Sequence, residues 1–255
     1  MEPRVAERRK SVSEERARRR LKRLLGVIAV LAVIFGTLWL IRSPLLSIRQ
    51  VSVVGAEQSD PRAAIRSLGM DIGTPTIEVD RESIAAAVLT DPWVASVQVE
   101  VVWPGSIYVE VIERVPVAPV LSEDGWVLVA RDGGVIELTE DPGAGGPAIA
   151  INQGEFAPGD TIVDPLILGA IAFIDTLTPP NRAVAILTSV ENGLHAVVAG
   201  HSVRLGRPID MEEKATVLEA LLATGLDPGA AINLIAPRRP AVSNSGPEPE
   251  VEPEG

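Results

Sequence analysis

The feature that most limits what this chain can fold into is "LLGVIAVLAVIFGTLWLI", Leu24 to Ile41, eighteen residues without a charge. At about 1.5 Å rise per residue, a helix of that length spans roughly 27 Å, close to the hydrocarbon thickness of a bilayer. A cleaved signal peptide has a shorter apolar core followed by a small-x-small site. Here bulky "LWLIRSPLLSI" occupies that place, so the sequence predicts a retained transmembrane helix over 24–41, with Trp39 at the interface. Residues 1–23 carry ten Lys or Arg against four acids, whereas the rest of the chain carries thirteen against thirty. The net charge of −11 therefore averages two segments of opposite sign. By the positive-inside rule, Arg16, Arg18, Arg19, Arg20, Lys22 and Arg23 stay in the cytoplasm, and the acidic bulk lies outside it. Beside an anchor, such a basic segment reads as a topology signal and lipid-headgroup contact rather than a nucleic-acid site.

Beyond the anchor the pattern is mixed α and β. "IRQVSVV" alternates Val51 and Val53 against Gln50 and Ser52 and ends at Gly55. Asp60-Pro61 opens a helix that turns Ala64, Ile65 and Leu68 inward and stops at Gly69. A second helix follows Asp80, presents Ile84, Val88 and Leu89, and ends before Pro92. Val97, Val99 and Val101 then alternate with Ser96, Gln98 and Glu100. A Trp103-Pro104-Gly105 turn leads to Ile107, Val109 and Val111 in the next strand. The order β-α-α-β-β over 45–114 predicts a three-stranded sheet with two helices on one face.

A second, β-rich unit is expected over 115–239. Asp132-Gly133 marks a hairpin, and 141–147 a loop. Asp164–Leu177 reads as a helix carrying Leu168, Ile171, Ala172 and Ile174, closed by Pro179-Pro180. Residues 183–206 form a three-stranded meander with turns at Asn192-Gly193 and Gly200. A last helix runs from Asp210 to about Thr224, with Asp210 and Glu213 as a capping box, Leu218, Leu221 and Leu222 inward, and Gly225 as its stop. "AINLIA", Ala231–Ala236, is a final strand, and the Pro- and Glu-rich 240–255 is expected to be a disordered tail.

Catalytic and cofactor chemistry finds little support. The chain has no cysteine, which removes disulfides, thiolate zinc ligands and thiol catalysis. His195 and His201 lie near turns without metal-ligand spacing and read as ordinary surface or turn histidines. Lys214, the sole lysine after the anchor, stands beside Glu212 and Glu213 and four residues from Asp210. Those carboxylates would hold it charged, the wrong direction for the base of a Ser/Lys dyad. No phosphate-binding glycine loop is present, and nothing singles out a carboxylate pair. No enzyme, cofactor, metal or small-molecule substrate is expected.

"DPWVASVQVEVVWPGSIYVEVIERVPVA", residues 91–118, resembles the bacterial cell-division family FtsQ (DivIB in some lineages). Pro92, Trp93, Val94, Trp103, Pro104, Glu113, Arg114, Pro116, Val117 and Ala118 match its motif, and 203–218 resembles its Leu-Gly…Lys signature. Ala56 and Glu100-Val101-Val102 depart from its pattern. The resemblance implies that 45–114 is a POTRA domain and that the protein is a non-enzymatic scaffold at the division septum. It also implies small single-pass partners like FtsB and FtsL, bound largely at the last strand and neighbouring helix. On that reading Ala231, Ile232, Asn233, Leu234, Ile235 and Ala236 form a sheet edge that a partner extends by β-augmentation; the other reading is a strand covered by the last helix. The motif residues read as structural, with Trp93 and Trp103 packed at the sheet edge or hinge. Arg114 would pair with Glu113 or Glu110, or else contact a partner. Two rival functions are a POTRA-type chaperone or secretion factor handling extended polypeptides, and an anchored envelope hydrolase.

Overall fold

A helix-length run of apolar residues opens the fold: α1, Lys22–Trp39, has the length and composition to cross a membrane and is not buried by the rest of the protein. In the computed structural model the described residues are 22–39, 46–142, 146–152, 154–190 and 193–243. The first 21 residues, Leu40, Ile41 and the tail from 244 onward lie outside them. Two compact units can be distinguished. One contains the described residues up to Val54 with Pro61–Ala87 and Gln98–Glu110; the other contains Gly55–Asp60, Val88–Val97 and everything from Val111.

Period-two alternation builds a small sheet, most of whose residues belong to the first unit, from β1 (Gln50–Val54), β2 (Val94–Val102) and β3 (Ser106–Glu113) in the order β1-β3-β2. β1 runs parallel to β3, with Gln50 opposite Ser106 and Val54 opposite Glu110. Ile107, Val109 and Val111 are buried, while Tyr108, Glu110 and Ile112 on the alternate face are exposed, as a sheet covered on one side requires. Helices α2 (Pro61–Ser67) and α3 (Arg81–Val88) contribute the buried Ile65, Ile84 and Val88. Leu68 and Leu89, expected to face inward, are instead exposed, because each helix ends one residue before it. Asp80 precedes α3 and accepts from the Glu82 amide and the Ser83 hydroxyl; these bonds hold its carboxyl below the usual range. Gly105 does more than relax the Trp-Pro-Gly turn. A Cβ there would overlap the Ser47 carbonyl oxygen, and its own carbonyl accepts from the Arg49 amide at 2.8 Å. Trp103 is 56% exposed, so it is not packed at the sheet edge as expected.

The second unit is organised around nine strands in the order β12-β11-β10-β9-β8-β7-β4-β5-β6. β4 (Pro116–Ser122), β5 (Gly125–Ala130) and β6 (Val135–Thr139) form an antiparallel run, with the expected turn at Asp132-Gly133. β7 (Ala148–Ala150) joins it in parallel to β8 (Ile186–Val190), which begins the antiparallel meander with β9 (Gly193–Val198) and β10 (His201–Gly206). Helix α4 (Pro165–Thr176) starts as its sequence dictates: the Asp164 carboxylate accepts from the amides of Leu166 and Ile167, and Pro165 fills the first position. Its Ile167, Ile171, Phe173 and Ile174 enter one core with Val120, Val127, Val129, Leu187 and Val203, shared by Leu218 of α6 (Met211–Ala223).

Three expectations fail here for identifiable reasons. Pro179-Pro180 opens a short helix, α5 (Pro179–Arg182), rather than merely closing α4; Glu219 of α6 accepts from the Thr178 amide and hydroxyl at its start. Asp210 does not form a capping box: it sits in the left-handed region at φ +53° with no side-chain cap bond. Residues 241–243 are not tail but a strand, β12 (Ala241–Ser243), antiparallel to β11 (Ala231–Asn233).

Candidate functional site

The residues of the Pro-Trp-Val and Glu-Arg-x-Pro motifs meet within the second compact unit. Glu113 receives the backbone amides of Glu57, Gln58 and Ser59 and the Ser59 hydroxyl, at 2.6–3.2 Å. Burial acts to raise its carboxyl pKa, but the donated bonds from Ser59, Gln58 and Glu57 outweigh this and leave it below the usual range. Arg114 does not pair with Glu113 or Glu110. Its guanidinium donates to the carbonyls of Pro92 at 2.6 Å and Val94 at 2.9 Å, and to the Asp132 carboxylate at 3.0 Å. Its backbone amide bonds to the Trp93 carbonyl at 2.7 Å. Gly134 carries no Cβ because Arg114 occupies that space. A planar fork suits two carbonyls and a carboxylate in a way an ammonium does not. The half-buried Trp93 therefore serves here through its backbone. Pro116, exposed, opens β4 opposite Ala130. This spacing is a structural latch: the Glu113 carboxylate and the Arg114 guanidinium are both engaged inside the fold.

The other sequence-predicted site lies at the far end of the large sheet, and the structure divides it. Ala231, Ile232 and Asn233 form β11, which pairs in parallel with β10 on one side and with β12 on the other. β11 is thus an interior strand, not the edge that the sequence suggested. Leu234 is fully buried, and its amide donates to the Arg204 carbonyl at 2.8 Å. Ile235 is 49% exposed and Ala236 is exposed. The chain then reverses, with the Arg239 amide bonding to the Ala236 carbonyl at 2.9 Å, and returns as β12. Among the described residues the sheet order ends at β12, whose three residues are all exposed. Sequence reasoning missed this strand because Pro240 and the Ser- and Pro-rich run after it read as tail.

Lys214 differs most from expectation. Only 3% exposed, its ammonium donates to the carbonyls of Leu205 at 2.8 Å and Arg207 at 2.9 Å. Desolvation lowers its pKa, and the nearby Asp210 opposes that only in part. The carboxylates of Glu212 and Glu213 are not its partners; Glu213 pairs with Arg238 at 3.2 Å. The lysine therefore ties α6 to the end of β10, directly beside the strands just described. His201 is likewise buried rather than at the surface, with Nδ1 3.3 Å from the Ala230 carbonyl, whereas His195 is half-buried on β9.

Comparison with known proteins converges on one family. Residues 46–114 match the family described as POTRA domain, FtsQ-type. The chain is 31% identical to the cell division protein FtsQ of Mycobacteroides abscessus over 86% of its length and 68% of the relative's. It is 30% identical to that of Mycolicibacterium smegmatis, over 85% of this chain and 63% of the relative. With the protein of the same name from Anaeromyxobacter sp. it shares 30% identity over 88% of this chain and 82% of the relative. With its apolar amino-terminal helix, its POTRA-type βααββ order and its large β unit, the chain belongs to the FtsQ family of cell-division proteins.

Proposed function

We propose that this protein is a non-enzymatic scaffold of the division machinery, held in the membrane by α1 with its amino-terminus in the cytoplasm and its two folded units outside. Its partners are small single-pass division proteins of the FtsB and FtsL kind, and through them it helps control septal cell-wall synthesis. The observation that carries this reading is the end of the nine-stranded sheet. β12 is short, exposed and terminal among the described residues, and a partner segment laid beside it extends the sheet by main-chain bonding. Ala231–Ala236 take part from beneath: β11 fixes β12 in register, and Ile235 and Ala236 present a surface next to it. Lys214 holds α6 against the same strands.

This placement selects the test. A proline at Leu234 would remove a buried side chain and an amide bonded to Arg204, so it would damage the fold itself. Val242→Pro alters the terminal strand alone. In co-purification from membranes, the full-length variant should lose small single-pass partners while its melting temperature falls by no more than about 4 °C, the effect of losing about one ladder hydrogen bond between β12 and β11. Full recovery of those partners by the variant would contradict the assignment.

A further inference from the structure

The loop between α2 and α3 carries apolar side chains in an arrangement that the fold does not use. Gly69, at φ +72°, ends α2, and Asp71–Thr74 form a tight turn. The Thr74 amide donates to the Asp71 carbonyl at 3.0 Å, and the Asp71 carboxylate accepts from the Ile72 amide at 2.7 Å. Gly73, at φ +101°, supplies the left-handed position. Turn tips of this kind normally carry polar residues. Here Ile72 occupies the tip at 69% exposure, with Ile77 at 57% and Leu68 at 40% on the same loop. No packing role within the unit accounts for three exposed branched aliphatic residues in ten positions.

The chain's connectivity states what lies nearby. The Ile48 amide donates to the Thr74 carbonyl, the Gly73 amide donates to the Ile48 carbonyl, both at 2.8 Å, and Ser47 bridges to Pro75. The loop is therefore fastened to residues 47–48. Ser47 lies only eight positions after Trp39, the last described residue of α1, a reach of at most about 28 Å. The interfacial zone of a bilayer takes up part of that distance. Exposed Arg62 flanks the loop, with Asp71 and Glu78 also present, so burial of aliphatic surface supplies the attraction.

We propose that Leu68, Ile72 and Ile77 dip into the outer part of the bilayer that α1 spans, giving the first unit a second, peripheral membrane contact. This requires only that α1 is embedded, and is independent of the scaffold reading. The absence of cysteine makes single-site labelling clean. Full-length Ile72→Cys and Ile77→Cys, each carrying an environment-sensitive fluorophore, are reconstituted in vesicles of phosphatidylcholine with a minor fraction of phosphatidylglycerol. The expected result is blue-shifted emission quenched by nitroxide-bearing lipid, unlike a label at the equally exposed Leu138→Cys. A label at Leu68→Cys should lose that quenching when Ile72→Asp and Ile77→Asp are added, with the melting temperature unchanged. Labels at both isoleucines that lipid nitroxide does not quench would overturn the proposal. Labels shielded from water without lipid quenching, and exposed again on dilution in lipid, would overturn it too and assign the loop to a second copy of the chain.

Discussion

Removing the Arg114 guanidinium tests whether the Glu-Arg motif is a latch of the fold. In Arg114→Ala two backbone carbonyls, of Pro92 and Val94, lose a charged donor, and the Asp132 carboxylate loses its ion partner. Bonds to a charged group contribute about 1.5–3 kcal/mol each and do not add fully, so the carbonyls together account for roughly 3–4 kcal/mol. Asp132 is half-exposed, so its ion pair adds only about 0–1 kcal/mol. At about 2–4 °C per kcal/mol for a chain of this size, the total of roughly 3–5 kcal/mol should make the variant melt roughly 6–20 °C below wild type. Asp132→Asn should melt within about 4 °C of it. Thermal unfolding of the detergent-solubilised protein, followed by tryptophan fluorescence, measures both. Equal losses in the two variants would show that the ion pair, not the carbonyls, carries the energy. An Arg114→Ala melt at the wild-type temperature would refute the latch.

Two further outcomes follow from the same geometry. The Glu113 pKa is lowered on folding, so its contribution to stability is fully present above the usual glutamate value and is lost as pH falls through the folded value. Urea unfolding of wild type and Glu113→Gln from about pH 7 to about pH 3 should give stabilities that converge with acidification; a constant gap would contradict the carboxylate's role. Gly105→Ala places a Cβ against the Ser47 carbonyl and should cost about 2 kcal/mol or more, in the upper part of the range for overpacking, whereas a wild-type unfolding midpoint would show that the turn relaxes freely.

What was legible in the sequence was local. The hairpin at Asp132-Gly133, the three strands of the β8–β10 meander and the Asp164-Pro165 start of α4 each rest on residues within a few positions of one another, and each forms as read, while Asn192 of the expected β8–β9 turn lies outside the described residues. The alternation at Val97–Val111 likewise gave the correct inner face, buried at Ile107, Val109 and Val111 and half-buried at Val97, Val99 and Val101. The candidate site depended on distant partners. Glu113 is held by amides more than fifty positions earlier, and Arg114 finds Asp132 rather than its adjacent acids, so neighbouring charges gave the wrong pairing. Lys214 was misjudged for the same reason: its helix neighbours are carboxylates, but its ammonium points to the carbonyls at the end of β10. β12 has only three residues, and its existence depends on pairing with β11 after the turn at Ala236–Arg239, which no period-two signal reveals.

The central claim is that a partner extends the sheet at β12. It is tested most directly by placing a photo-crosslinking amino acid at Val242 of the full-length protein in its native membrane and identifying the adduct. A crosslink to a small single-pass division protein is expected, absent when the same group is placed at the exposed Leu138 on the opposite edge strand, β6. No adduct at Val242 alongside a strong one at Leu138 would contradict it and move the partner to the other edge of the sheet.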